Sequence, residues 1–143
     1  MISYQELKAK HEAEVNAFPL GAAFSKTQFA EMMANWGLTE DDTDKIYSIG
    51  AGCFIRKSDS KAFGEMLNRH GAERQAAVDS DTTGDGYVYQ MFAYELANHE
   101  YGYTYDFEST LDALDLTLEN IIADKKLRRG FNKALRKYGA YRV

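Results

Sequence analysis

Cysteine and proline each occur once, at Cys53 and Pro19. A lone thiol excludes an internal disulfide and fits a reducing compartment. A lone proline leaves almost the whole chain free to be helical. Long apolar runs are missing too, and the opening Met-Ile-Ser-Tyr-Gln-Glu-Leu-Lys has neither the cationic start nor the apolar stretch of a signal peptide. These absences lead us to expect a cytoplasmic protein with no membrane role. Acid is absent from residues 125–143, where eight cations give +8, whereas residues 1–124 hold all 22 acids and nine cations, or −13. So polarised a chain suggests a basic last helix packed on an acidic body, its cations favoured near the helix C-terminus by the dipole. Nucleic-acid binding through the basic C-terminal helix is the alternative, but an acidic body would repel a phosphate backbone.

What is present suits one globular domain. The chain has 143 residues, of which 45% are apolar and 27% charged, enough to bury a core over residues 1–143. Helix signals recur along it. Ser3 with Glu6 forms a capping box, followed by an amphipathic stripe of Tyr4, Leu7, His11, Val15 and Phe18 that Pro19 ends. Ser25 with Gln28 repeats the box, Phe29, Met32, Met33 and Trp36 form the stripe, and Gly37 supplies the left-handed stop. Two β-favouring runs, Ile46–Ile49 and Phe54–Arg56, flank a glycine-rich turn and predict a short hairpin packed on helices. Ser58 or Asp59 caps a long helix, with a break expected near Gly71 because glycine costs about 1 kcal/mol there. After a polar turn over Asp79–Gly86, helical spacing resumes from Val88 to about Tyr101. Short helices are expected at Glu108–Leu114 and from Thr117, and a last helix carries Leu127, Phe131, Leu135 and Tyr138 on one stripe. The expected fold is therefore mainly α, a single compact helical domain with a two-stranded β-hairpin near 46–56.

Two stretches carry a resemblance: Ser48-Ile-Gly-Ala-Gly-Cys-Phe-Ile-Arg-Lys-Ser-Asp59, and Tyr94-Glu-Leu-Ala-Asn-His-Glu-Tyr-Gly-Tyr-Thr-Tyr-Asp106 continued through Thr110-Leu-Asp-Ala-Leu-Asp-Leu-Thr117. Over roughly residues 1–138 the chain resembles an uncharacterised family of small proteins associated with phages and integrative elements of Gram-positive gut bacteria. The resemblance implies an accessory gene on mobile DNA and brings no catalytic residue with it.

Four groups of residues could carry chemistry. The turn Asp79-Ser-Asp81-Thr-Thr83-Gly84-Asp85-Gly86-Tyr-Val88 is similar to a calcium loop, but counting from Asp79 leaves Gln90 at position twelve, and counting from Asp81 leaves Phe92. Without the bidentate glutamate, an aspartate- and glycine-rich turn is the plainer reading. Glu95 and His99 stand four apart on one helix face, with Glu100 adjacent, so a small enzyme or a metal-binding protein using that pair is an alternative. A partly buried histidine bonded to a nearby carboxylate is the ordinary explanation. Gly50-Ala-Gly52 followed by Arg56, Lys57 and a helix start offers a place for an anion, although hairpin geometry also accounts for the glycines. Cys53 has no motif around it, and neither a cofactor nor a metal is implied.

Tyrosine is the unusual feature. Six of the ten fall between 87 and 105: Tyr87, Tyr89, Tyr94, Tyr101, Tyr103 and Tyr105. The segment Tyr101–Asp106 reads as a loop or an extended stretch. Tyrosine gives much contact area at little entropic cost, so Tyr87, Tyr94, Tyr101, Tyr103, Tyr105 and Asp106 are candidate protein-binding residues. An aromatic mini-core under the loop is the competing reading. The expected function is a non-enzymatic acidic protein-interaction domain of a phage or mobile element, acting on a host nucleic-acid-binding or defence protein.

Overall fold

A computed structural model describes residues 1–139 and 142–143. Among them the chain is mainly α, with eight α-helices and one small three-stranded antiparallel sheet. In chain order these are α1 (Tyr4–Ala17), β1 (Gly21–Ala22), α2 (Lys26–Asn35), β2 (Ile46–Gly50), β3 (Cys53–Arg56) and α3 (Ser60–Ser80). There follow α4 (Tyr87–Asn98), α5 (Tyr101–Thr104), α6 (Glu108–Ala113), α7 (Leu118–Ala123) and α8 (Lys125–Arg136). The chain falls into two units, one of residues 11–71 and the other of residues 1–10 with 72–143.

In the 11–71 unit, Ser25 caps α2 by accepting from the Gln28 N–H, and Gly37 leaves the helix at φ +71°. Met32, Met33 and Ile46 are buried there, with Phe29, Trp36 and Phe54 packed on them. The hairpin pairs Ile46 with Arg56 and Tyr47 with Ile55, and its register shifts between Ser48 and Gly50. A third strand joins it, Gly21 opposite Phe54 and Ala22 opposite Cys53. That strand carries only two residues, too few for a periodic signal. Gly21 is what lets it lie there, since Met32 and Trp36 occupy the space a Cβ would need. Within the same unit the His11 and His70 rings stack at 3.9 Å, and Glu14 accepts from both Arg69 and the His70 ring. The expected break near Gly71 does not occur, and α3 runs unbroken through Gly64 and Gly71. Two glycines in a 21-residue helix lower its stability without interrupting its hydrogen bonds.

The other unit is built on α4 and α8. Val88, Phe92 and Leu96 from one meet Phe131, Ala134 and Leu135 from the other, and Tyr4, Leu7, Leu111 and Ile121 close the core. Close approach depends on Gly130: a Cβ there would stand 2.6 Å from Val88 Cγ1 and 2.8 Å from the Gly84 carbonyl oxygen. Helix starts are well specified. Thr117 and Asn120 form a full capping box for α7, and Asp124 caps α8 through the Lys126 and Leu127 N–H groups. The last helix is thus docked, with Phe131 and Leu135 buried. Its cations partly serve the fold, as Lys126 donates to the Val78 carbonyl and Arg129 to both carboxylate oxygens of Asp85.

Candidate functional site

The tyrosine cluster divides three ways, because α4 and α5 aim its members differently. Tyr87 and Tyr101 are only 2% and 4% exposed. Tyr87 packs edge-on to Tyr4 at 5.6 Å, and Tyr101 meets Tyr138 at 5.1 Å and Phe107 at 6.5 Å. Both are core side chains, which is the mini-core reading for these two positions. Tyr89 and Tyr94 are half-buried, each with a lysine over its ring, Lys133 at 4.5 Å and Lys8 at 5.6 Å. Tyr103 and Tyr105 are 89% and 63% exposed.

What exposes them is a short knob. The expected loop is instead one helical turn, α5, bracketed by left-handed residues at Glu100 (φ 57°) and Tyr105 (φ 53°). Neither is glycine, so each costs free energy that the surroundings must offset. Anchoring comes from the buried Tyr101 ring and from the Tyr103 and Tyr105 N–H groups, which donate to the carbonyls of Glu100 and Tyr101. The Asp106 carboxylate accepts from the Glu108 N–H at 2.9 Å and so fixes the start of α6. Glu100, Asp106 and Glu108 are all exposed beside the two tyrosines. Helical phasing could not reveal this, because the turn between Asn98 and Glu108 is set by two backbone reversals rather than by a periodic pattern.

Glu95 and His99 do meet, at 3.3 Å between Oε2 and Nε2. The carboxylate is buried, and its other oxygen accepts from the Tyr4 hydroxyl at 2.8 Å and pairs with Lys8 Nζ at 3.3 Å. Burial, then the hydrogen bond to Glu95, pushes the Tyr4 hydroxyl far above the ordinary tyrosine range, so Tyr4 stays protonated and donates. Three partners on two oxygens make a satisfied buried acid. Tyr4 and Lys8 were missed from the sequence, since nothing local ties residue 4 to residue 95.

The turn after α3 spends its key carboxylate on the backbone. Asp81 Oδ1 accepts from Thr83 and Gly84, and Oδ2 from Gly86 and Val88. Burial alone would raise the Asp81 carboxyl, but these four donors outweigh it and hold it below the ordinary range. Among the described residues no group of three or more His, Cys, Asp or Glu side chains could hold a metal ion. At the hairpin, Gly50, Ala51 and Gly52 all have positive φ, as the turn requires. The two cations beside it are engaged, Arg56 with Asp59 and over Trp36, Lys57 over Tyr47.

A family model described as a family of unknown function, DUF7659, matches residues 3–137. The chain belongs to that family. No curated protein and no solved structure matches it. The DUF7659 match takes in every element from α1 to α8, and so both the tyrosine knob and the Glu95 cluster. No helix among the described residues is long and apolar enough to cross a membrane.

Proposed function

We propose that this DUF7659 protein is a non-enzymatic interaction domain that binds a protein partner through the knob formed by Tyr103, Tyr105 and the acids beside them. The observation that carries the reading is the pair of exposed tyrosines on a turn held by two left-handed residues and a buried ring. Tyrosine side chains lose little entropy on binding for the contact area they give, and here two stand together beside three acids. Glu100, Asp106 and Glu108 suit the knob to a cationic surface. A host nucleic-acid-binding protein has such a surface, and the resemblance to proteins of phages and integrative elements favours a host defence or nucleic-acid protein as the target. Cytoplasm is the compartment this reading requires. Catalysis by Glu95 and His99 is the weaker reading, since Tyr4 and Lys8 already occupy the carboxylate.

Site-specific photocrosslinking tests the proposal in the native host. A benzophenone amino acid at position 103 or 105 should capture one discrete protein, and the same group at exposed Asn35 or Glu119 should not. Equal capture from all four positions would remove the knob as the binding surface.

A further inference from the structure

The outward face of α4 presents a second surface. Residues 89, 90, 93, 94, 97 and 98 recur at helical spacing opposite the buried Val88, Phe92 and Leu96. Together with Ser3 and Gln5 they line a cleft of about 750 Å³. Ala93 and Ala97 keep its floor low, and Tyr89 and Tyr94 provide apolar walls. None of the lining side chains is charged, in a stretch of chain, residues 1–124, that carries −13.

Positive charge gathers at the Tyr89 end of the cleft, because Lys8 at the Tyr94 end is paired with the buried Glu95 carboxylate at 3.3 Å. Lys133 stands over the Tyr89 ring and Lys8 over the Tyr94 ring. At the Tyr89 end three cations of α8 share one acid: Arg129 holds Asp85 through both oxygens at 2.9 Å, and Lys133 and Arg136 add to the attraction. Neither Lys133 nor Arg136 closes an ion pair among the described residues. Surplus positive charge beside an uncharged, tyrosine-walled cleft is complementary to carboxylates carried on an apolar stretch.

We propose that the cleft over Ala93 and Ala97 docks an acidic segment of a partner protein, its apolar side chains between Tyr89 and Tyr94 and its carboxylates at Lys133 and Arg136. This surface shares no residue with the Tyr103–Tyr105 knob and does not depend on it. Segments read in this way lay apolar anchors at helical spacing into the groove, and flanking charge sets their orientation.

Fluorescence anisotropy with the full chain tests it, using three labelled peptides of one length. The first sets Leu and Phe at helical spacing among Glu residues, the second replaces each Glu by Lys, and the third is poly-glutamate. The first should bind, and raising salt should weaken it. Lys133→Glu with Arg136→Glu, and separately Ala97→Glu, should each weaken it at least about tenfold, or ~1.4 kcal/mol, with the melting temperature held. Tyr103→Ala with Tyr105→Ala should leave that affinity intact, so loss of the knob and loss of the cleft read out separately. Equal binding of the lysine peptide or of poly-glutamate would overturn the proposal, as would indifference to both sets of variants. Duplex DNA binding that the Lys133→Glu, Arg136→Glu variant removes would also overturn it, making the surface one for nucleic acid.

Discussion

At the scale of single residues, Asp81→Ala should strand four backbone N–H groups, two of them in a buried setting. Leaving buried donors without a partner costs about 1–3 kcal/mol each, so chemical denaturation should show a loss above about 2 kcal/mol. Because the folded Asp81 carboxyl lies below its ordinary range, its contribution is present above that range and is lost as pH falls through the folded value. Glu14 behaves alike, lowered to about 2 by its hydrogen bonds from Arg69 and then His70. Melting temperature should therefore drop between pH 4.5 and about 2, and less steeply in Glu14→Gln. A Glu14→Gln profile parallel to wild type would contradict this. Tyr4→Phe should cost about 1 kcal/mol by removing one donor from Glu95, and His99→Ala should also destabilise. The Glu95–His99 contact was legible from a spacing of four. Asp81 as the organiser of its turn was not, since its four donors are fixed only once the chain reverses. The same residue type at the same place reads as a calcium ligand or as a backbone anchor until the turn is seen.

At the scale of elements, helix starts and stripes were the most legible part of the chain. Ser25 with Gln28, Thr117 with Asn120, and the Phe131–Leu135 stripe all form as their spacing predicts. Two elements were not legible. Strand β1 is too short to carry a pattern, and α5 is held by left-handed residues that are not glycine. The docking of α8 on α4 makes a direct prediction. Gly130→Ala would place a Cβ against Val88 and the Gly84 backbone, and backbone does not yield cheaply. Overpacking of this kind costs about 1–3 kcal/mol, read as a lower melting temperature. Phe131→Asp should unfold the unit built on α4 and α8, because it buries a charge beside Phe92 and Phe107.

At the scale of the whole molecule, charge is polarised along the chain and partly consumed within it. Lys126 and Arg129 of the basic helix bind the Val78 carbonyl and Asp85. The intact protein should therefore show little affinity for duplex DNA at physiological salt, checked by a salt titration of binding. The central claim is that the exposed tyrosines of α5 are there to be bound. Affinity purification of wild type and of a Tyr103→Ser, Tyr105→Ser variant from the native host, each quantified by mass spectrometry, tests it most directly. The variant should stay folded, losing only the edge contact of the Tyr105 ring on Tyr101 at 5.7 Å, and should lose at least one protein that wild type retains. Retention of the same partners by both would contradict the account.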